Sequence, residues 1–315
     1  MISFENVSKK YDEGTFAVKN FNLHIKEGEL LVLIGPSGSG KTTTLKMINR
    51  LIPLTEGYIK IKDKKISDYD IHELRWDIGY VLQQIALFPH MTIEENIAVV
   101  PEMKKWEQKE INQRIDELLN MVGLEPETYR KRLPHELSGG QQQRIGVARA
   151  LAANPPIILM DEPFSALDPL SREKLQDDLI ELQKNIKKTI VFVTHDMSEA
   201  LKLGERICLM KNGEVVQTGT PEELLQQPAN DFVREFVGID QAQAEIVDIR
   251  EGVKPVNPRE ADHLPVISSR IPINEILALL SEHEQLAVEV KDEIIGTIDR
   301  QGMIRILSRQ MEGIK

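Results

Sequence analysis

Hydrophobic and polar positions along the chain follow two alternating rhythms. Short apolar runs recur at Leu30 to Ile34, Ile157 to Met160 and Ile190 to Val193. Gly28 and Gly35 bound the first, and Pro155 and Pro156 lead into the second. Runs this short and apolar throughout predict strands covered on both faces, as in a parallel sheet. Between them, Leu45, Ile48 and Ile52 recur at helical spacing within Lys41 to Ile52, and Pro53 predicts the stop. Strands alternating with helices predict an α/β domain. Residues about 90 to 135 break the rhythm, being charged, helix-patterned and short of strand signals. They predict a helical subdomain inserted over about residues 84–145.

A different pattern begins after Phe236, Val237 and Gly238. Residues 239–263 read as a polar linker with one short strand. Leu264 to Ile267, a helix-like Ile273 to His283, and the strands Leu286 to Val290 and Ile294 to Ile298 then follow. A closing segment, Gly302 to Leu307, completes a β-α-β-β unit over residues 264–315. So small a unit is expected to lean on a partner surface.

The chain has 315 residues, enough for one large domain or two ordinary ones. Its 39 Lys and Arg against 50 Asp and Glu leave a net charge of -11, which argues against nucleic acid as a partner. Cys208 is the one cysteine, so neither a disulfide framework nor a cysteine-rich zinc site is expected. Charges occupy the stretch Met1 to Gly14 where a signal peptide needs an apolar core, and no run approaches the roughly 20 apolar residues that span a bilayer. Any work at a membrane is therefore expected to go through partner subunits.

Chemistry enters at Gly35, Pro36, Ser37, Gly38, Ser39, Gly40, Lys41 and Thr42, a complete G-x4-G-K-T between a predicted strand and a predicted helix, with Thr43 following. The glycines let the backbone curl until successive N–H groups point at phosphate oxygens, and the helix N-terminus adds its dipole. Lys41 is expected on the β- and γ-phosphates of ATP and Thr42 on Mg²⁺. Asp161 and Glu162 close the run Ile157 to Met160, where open α/β sheets bind ligands. Asp161 is expected to reach Mg²⁺, and Glu162 to orient or deprotonate the attacking water.

The string Leu137, Ser138, Gly139, Gly140, Gln141, Gln142, Gln143, Arg144 resembles the signature of ATP-binding cassette (ABC) ATPases. The resemblance covers residues 1–238 and implies a P-loop NTPase fold with an inserted helical subdomain. It implies that Ser138, Gly139, Gly140 and Gln141 complete the nucleotide site of a second subunit in an ATP-dependent homodimer. It further implies Tyr11 as the aromatic stacking on adenine, Gln83 as the glutamine reaching metal and catalytic water, Asp168 in the loop facing the other subunit, and His195 as the histidine reaching the γ-phosphate. Gln84, beside Gln83, fixes that glutamine to within one residue.

A single cassette without a membrane span resembles the ATPase subunits of importers, at the cytoplasmic face of the membrane beside separate permease subunits and a substrate-binding protein. A groove near Gln83, Leu87, Phe88 and Pro89 is expected to receive the permease. The stretches Tyr80 to Pro101 and Arg130 to Leu137 resemble cassettes of osmoprotectant importers, for glycine betaine, carnitine or choline. Val266 to Leu307 resembles one cystathionine-β-synthase (CBS) motif, so the C-terminal unit is expected to be a small α+β CBS-like unit that pairs with its copy or binds a regulatory nucleotide. Two alternatives remain open: a cassette for another small solute such as a polyamine or amino-acid derivative, and a non-transport ABC protein acting as a nucleotide-gated interaction module.

Overall fold

Leu30–Ile34 forms strand β3 with every residue buried, as its apolar run requires. The computed structural model containing it describes residues 1–11, 14–83, 86–165, 167–238, 246–256, 264–290 and 293–312. Strand β3 lies inside a six-stranded sheet beside β6 (Ile78–Val81), β7 (Ile157–Asp161), β8 (Thr189–Val193), β9 (Arg206–Lys211) and β10 (Glu214–Gly219). The order is β10-β9-β3-β8-β7-β6, parallel except for the β9–β10 hairpin. This order sets the C-terminal ends of β3, β8 and β7 side by side, the place where such sheets bind ligands.

A second sheet, antiparallel, runs β2-β1-β4-β5 from β1 (Ile2–Lys10), β2 (Phe16–Ile25), β4 (Glu56–Ile61) and β5 (Lys64–Lys65). Both sheets share one core with helix α1 (Lys41–Ile48): Phe4, Phe21 and Ile59 from one, Leu31, Leu159 and Val191 from the other, and Leu45, Met47 and Ile48 from the helix. Helix α1 ends at Ile48 instead of continuing to Ile52. Arg50 turns left-handed at φ 54, and the amides of Leu51 and Ile52 both bond the Lys46 carbonyl. Ile52 still packs on the core, so the apolar stripe outlasts the helix that suggested it.

After α2 (Ile71–Trp76) and β6, the chain leaves the sheet for α3 (Ile93–Met103), α4 (Gln108–Met121), α5 (Pro126–Tyr129) and α6 (Gly139–Leu151), then returns at β7. Helix α3 begins with a Thr92–Glu95 capping box. Asn96, fully buried, holds the preceding loop: its side-chain oxygen accepts the Phe88 N–H, and its NH2 donates to the carbonyls of Phe88, Met91 and Thr92 at 2.9 to 3.1 Å. Helices α7 (Pro169–Ile186), α8 (Met197–Leu203), α9 (Pro221–Gln226) and α10 (Asp231–Val237) follow.

The chain divides into two compact units, Met1–Val233 and Arg234–Lys315, where the sequence suggested a boundary after Gly238. The second contains β11 (Ile246–Asp248), β12 (Val266–Ser268), β13 (Arg270–Pro272), α11 (Ile273–Glu282), β14 (Gln285–Val290), β15 (Glu293–Asp299) and α12 (Arg300–Glu312). Strand β14 pairs parallel with β12 and antiparallel with β15, while β11 and β13 pair antiparallel in a separate two-stranded sheet. Residues 246–256, expected within a linker, belong to this unit instead: Ile249 is fully buried in its core, and Lys254 bridges to Thr297. The closing segment Gly302 to Leu307 lies within α12, with Met303 and Ile306 buried one turn apart. Residues 239–245 and 257–263 of the expected linker lie outside the described residues.

Candidate functional site

Strand β3 delivers its chain into the loop Gly35 to Gly40, and α1 starts at Lys41. Two positions there admit no side chain. A Cβ on Gly35 would lie 2.1 Å from the Met210 carbonyl oxygen, and one on Gly40, at φ 98, would lie 2.3 Å from that of Ala17. Lys41 folds back so that its Nζ donates to the carbonyls of Gly35 and Pro36 at 2.7 and 3.0 Å. Burial pushes this ammonium below its ordinary pKa, against the pull of Glu162 and Asp161. An oxygen-rich anion is what such a group lacks. Ser39 supports the same fit, since its Oγ is buried and has no hydrogen-bond partner.

Strand β7 brings up the acids. Asp161, buried, accepts the Thr42 hydroxyl at 2.8 Å on one oxygen and faces the Tyr80 hydroxyl at 3.4 Å on the other. Burial, then Asp161, pushes the Tyr80 phenol far above its usual range, so it stays protonated and donates. Glu162 is held at φ 46, a left-handed backbone uncommon for a residue with a side chain, with its N–H on the Val193 carbonyl at 3.0 Å. Its Oε2 receives Gln83 Nε2 at 3.1 Å and lies 3.2 Å from His195 Nδ1. A polar cleft of about 570 Å³ is lined by Ala17, residues 37–43, Gln83, Glu162 and His195.

The structure thus gathers Ser37, Gly38, Ser39, Gly40, Lys41, Thr42, Thr43, Gln83, Glu162 and His195 around one space, with Asp161 behind Thr42 and Gly35 and Pro36 behind Lys41. Other expected site residues stand apart from that lining. Tyr11 is 47% exposed, with the Lys9 ammonium 5.1 Å from its ring centroid. Asp168 caps α7 by accepting the Ser171 N–H at 3.0 Å. Ser138 caps α6 in a reciprocal box with Gln141, and Gly139 and Gly140 form its first turn. A Cβ at Gly139 would meet nothing within 4 Å, so no packing among the described residues requires that glycine. Gln84, and Ala166 before Asp168, lie outside the described residues. Tyr80 was not anticipated; only the pairing of β6 with β7 brings its hydroxyl to Asp161.

Among the described residues, no group of three or more His, Cys, Asp or Glu side chains converges to hold a metal. Mg²⁺ takes oxygen ligands, one or two of them from protein beside phosphates, and the Thr42 hydroxyl and Asp161 carboxylate meet at 2.8 Å with Gln83 lining the same cleft as Thr42. Thr42, Asp161 and Gln83 are the residues here that fit it.

A second concavity, largely apolar and about 460 Å³, lies between the sheet and the helical insert. Trp76, Tyr80, Leu82, Phe88, Val99 and Arg149 are among its lining residues, and Phe88 is 47% exposed. Of the residues expected at such a groove, Phe88 lines it, Leu87 and Pro89 are not among its lining residues, and Gln83 lines the polar cleft instead.

A family model described as ABC transporter matches residues 18–165, which contain the loop, both acids and the signature string. The glycine betaine/carnitine/choline transport ATP-binding protein OpuCA of Bacillus subtilis is 50% identical over 306 residues, 97% of this chain and 77% of that protein. This chain belongs to the ABC transporter family. The choline transport ATP-binding protein OpuBA of the same organism is 59% identical over 238 residues, which are 76% of this chain but 62% of that relative. Among solved structures, the dimeric post-hydrolysis state of the ATP-binding cassette MJ0796 bound to ADP and phosphate matches at a TM-score of 0.65 and 43% identity, covering 70% of this chain and 99% of that one. The chain is an ABC ATPase with the P-loop cassette fold, and none of its described helices is long and apolar enough to cross a membrane.

Proposed function

We propose that this ABC ATPase powers import of a quaternary ammonium or betaine-like solute through separate membrane subunits. The observation that carries the reading is the convergence of Lys41, Thr42, Asp161, Glu162, Gln83 and His195 on one cleft, in a chain half identical along nearly its whole length to a relative named for glycine betaine, carnitine and choline transport.

Bound Mg²⁺ would neutralise charge on the phosphate oxygens, held by Thr42, Gln83 and Asp161. Lys41, freed from its two carbonyls, binds the β- and γ-phosphates beside the N–H groups of Ser37 to Thr43. Glu162 takes the proton of the attacking water or orients it, with its carboxylate steered by Gln83. His195 faces the γ-phosphate. Ser138, Gly139, Gly140 and Gln141 belong to the site of a second copy; the dimer of MJ0796 and the unexplained glycine at 139 support this. Tyr11 faces adenine, and Asp168 lies at the dimer seam. Dimer closure carries the helical insert with it, and the apolar groove beside Phe88 receives a permease segment.

Within the unit Arg234–Lys315, residues 264–315 are read as one CBS-like copy. Its parallel-plus-antiparallel three-stranded sheet with α11 and α12 supports that reading. It pairs with the same unit of the second copy and responds to ionic strength or an adenine nucleotide. The solute itself is chosen by a binding protein, whose aromatic side chains suit a quaternary ammonium.

Uptake of labelled glycine betaine, carnitine and choline, at low and high osmolarity, tests the assignment in cells carrying the parental chain or Glu162→Gln. The expected outcome is uptake of at least one of them, abolished in the variant, together with an ATP-dependent dimer of purified Glu162→Gln that turns over at least a hundredfold slower, as losing a positioned general base implies. Uptake of all three unaffected by Glu162→Gln removes the osmoprotectant assignment. Parental ATP turnover by that variant removes Glu162 from the chemistry.

A further inference from the structure

Glu199, a buried carboxylate on α8, has no part in the reading so far. Its Oε2 accepts the Thr194 hydroxyl at 2.6 Å, and that hydroxyl accepts the Asp196 N–H at 3.0 Å. Thr194 and Asp196 stand on either side of His195. These two bonds therefore fix the turn that presents the imidazole to Glu162. The other carboxylate oxygen faces α7. Oε1 lies 3.5 Å from Gln176 Nε2 and 3.9 Å from Arg172 Nε. Arg172 donates through Nη2 to the Leu167 carbonyl at 3.1 Å, and Leu167 directly precedes Asp168.

The bridge is incomplete at one contact. Arg172 Nε is buried and has no hydrogen-bond partner, while its nearest carboxylate oxygen stands too far away to be one. A shift of about 1 Å between α7 and α8 would complete an Nε–H to Oε1 bond at ordinary length. Burial also pushes the Glu199 carboxyl above its usual pKa, with the Thr194 hydroxyl and Arg172 among the groups opposing this, so its charge depends on those partners.

We propose that Glu199 and Arg172 are positioning residues that couple the turn carrying His195 to the segment Leu167–Asp168, so that movement at either one resets the other. The inference rests on the ATPase reading of the cleft. Neither residue lines that cleft, so losing the bridge should slow turnover while leaving ATP affinity in place.

The test uses the full chain and a mutant cycle of Glu199→Gln, Arg172→Gln and the double variant, with Arg172→Lys as the conservative change. ATP turnover and ATP affinity are measured separately, and thermal melting reports folding. Glu199→Gln keeps an acceptor for Thr194 and replaces the charged oxygen facing Arg172 and Gln176 with an NH2 donor, which breaks the bridge at that end; Arg172→Gln alters a side chain already 34% exposed. Each single variant is expected to lower kcat about tenfold with ATP Kd within about twofold, the double variant to be no slower than the worse single one, and Arg172→Lys to recover part of the loss. Independent effects that multiply to about a hundredfold, parental kcat in both single variants, or a fall in affinity parallel to that in kcat would each overturn the proposal. Glu162→Gln runs alongside. If it stalls while the bridge variants turn over normally, the bridge fails and the cleft stands; if it turns over normally, the cleft reading itself has failed.

Discussion

Gly40 illustrates how much function one residue type carries. At φ 98 a side chain costs about 1–2 kcal/mol in backbone strain, and its Cβ would also collide with the Ala17 carbonyl 2.3 Å away. Gly38 shares a positive φ but faces open space. Gly40→Ala is therefore expected to lower the melting temperature and weaken ATP binding at least tenfold, a loss of about 1.4 kcal/mol or more. Gly38→Ala should show only the milder backbone effect. Titration calorimetry with ATP and a thermal melt of both variants check this; equal losses would mean that the Ala17 contact is irrelevant. At this scale the motif itself was legible, because a phosphate loop is built from consecutive backbone groups. The orphaned Ser39 hydroxyl and the Tyr80 hydroxyl on Asp161 were not, since neither depends on a neighbour in sequence.

At the scale of elements, the buried strands were legible because burial on both faces demands an unbroken apolar run. Ends of elements were less so. Helix α1 stops at Ile48 although Ile52 keeps its helical phase, because a left-handed Arg50 lets the Lys46 carbonyl take two amides and turn the chain. The loop before α3 depends similarly on one side chain. Asn96→Ala would leave the Phe88 N–H and the carbonyls of Phe88, Met91 and Thr92 without that partner, at a partly buried site around a fully buried side chain. A destabilisation of about 2–4 kcal/mol is expected from lost buried hydrogen bonds. Urea unfolding of the variant measures it, and an unchanged midpoint would mean that the loop holds its shape by other contacts.

For the whole molecule, the two units invite separation. All residues gathered at the cleft lie between Ala17 and His195, within Met1–Val233. Removing residues 240–315 is expected to leave ATP affinity within about twofold and to retain turnover, while abolishing any response of uptake to osmolarity. Purified truncated chain gives the first result and the uptake assay the second. A folded truncation that no longer binds ATP would contradict the division of labour.

By itself, the sequence determined whatever is local or strictly periodic: the phosphate loop, the acids ending an apolar run, the signature string before a helix, and the alternation of strands with helices. Tertiary structure alone decided which of these meet. Thr42 and Asp161 are 119 residues apart and become hydrogen-bonded because β3, β8 and β7 are neighbours with their C-terminal ends aligned. The same order carries Glu162 to His195 and, from β6, Gln83 to Glu162. It leaves Ser138 and its glycines on a different helix terminus, where no contact among the described residues accounts for Gly139. The α7–α8 bridge through Arg172 and Glu199 lay beyond reach for the same reason. A side chain's partners are set by which strands and helices become neighbours, and that adjacency is written in no single stretch of the chain.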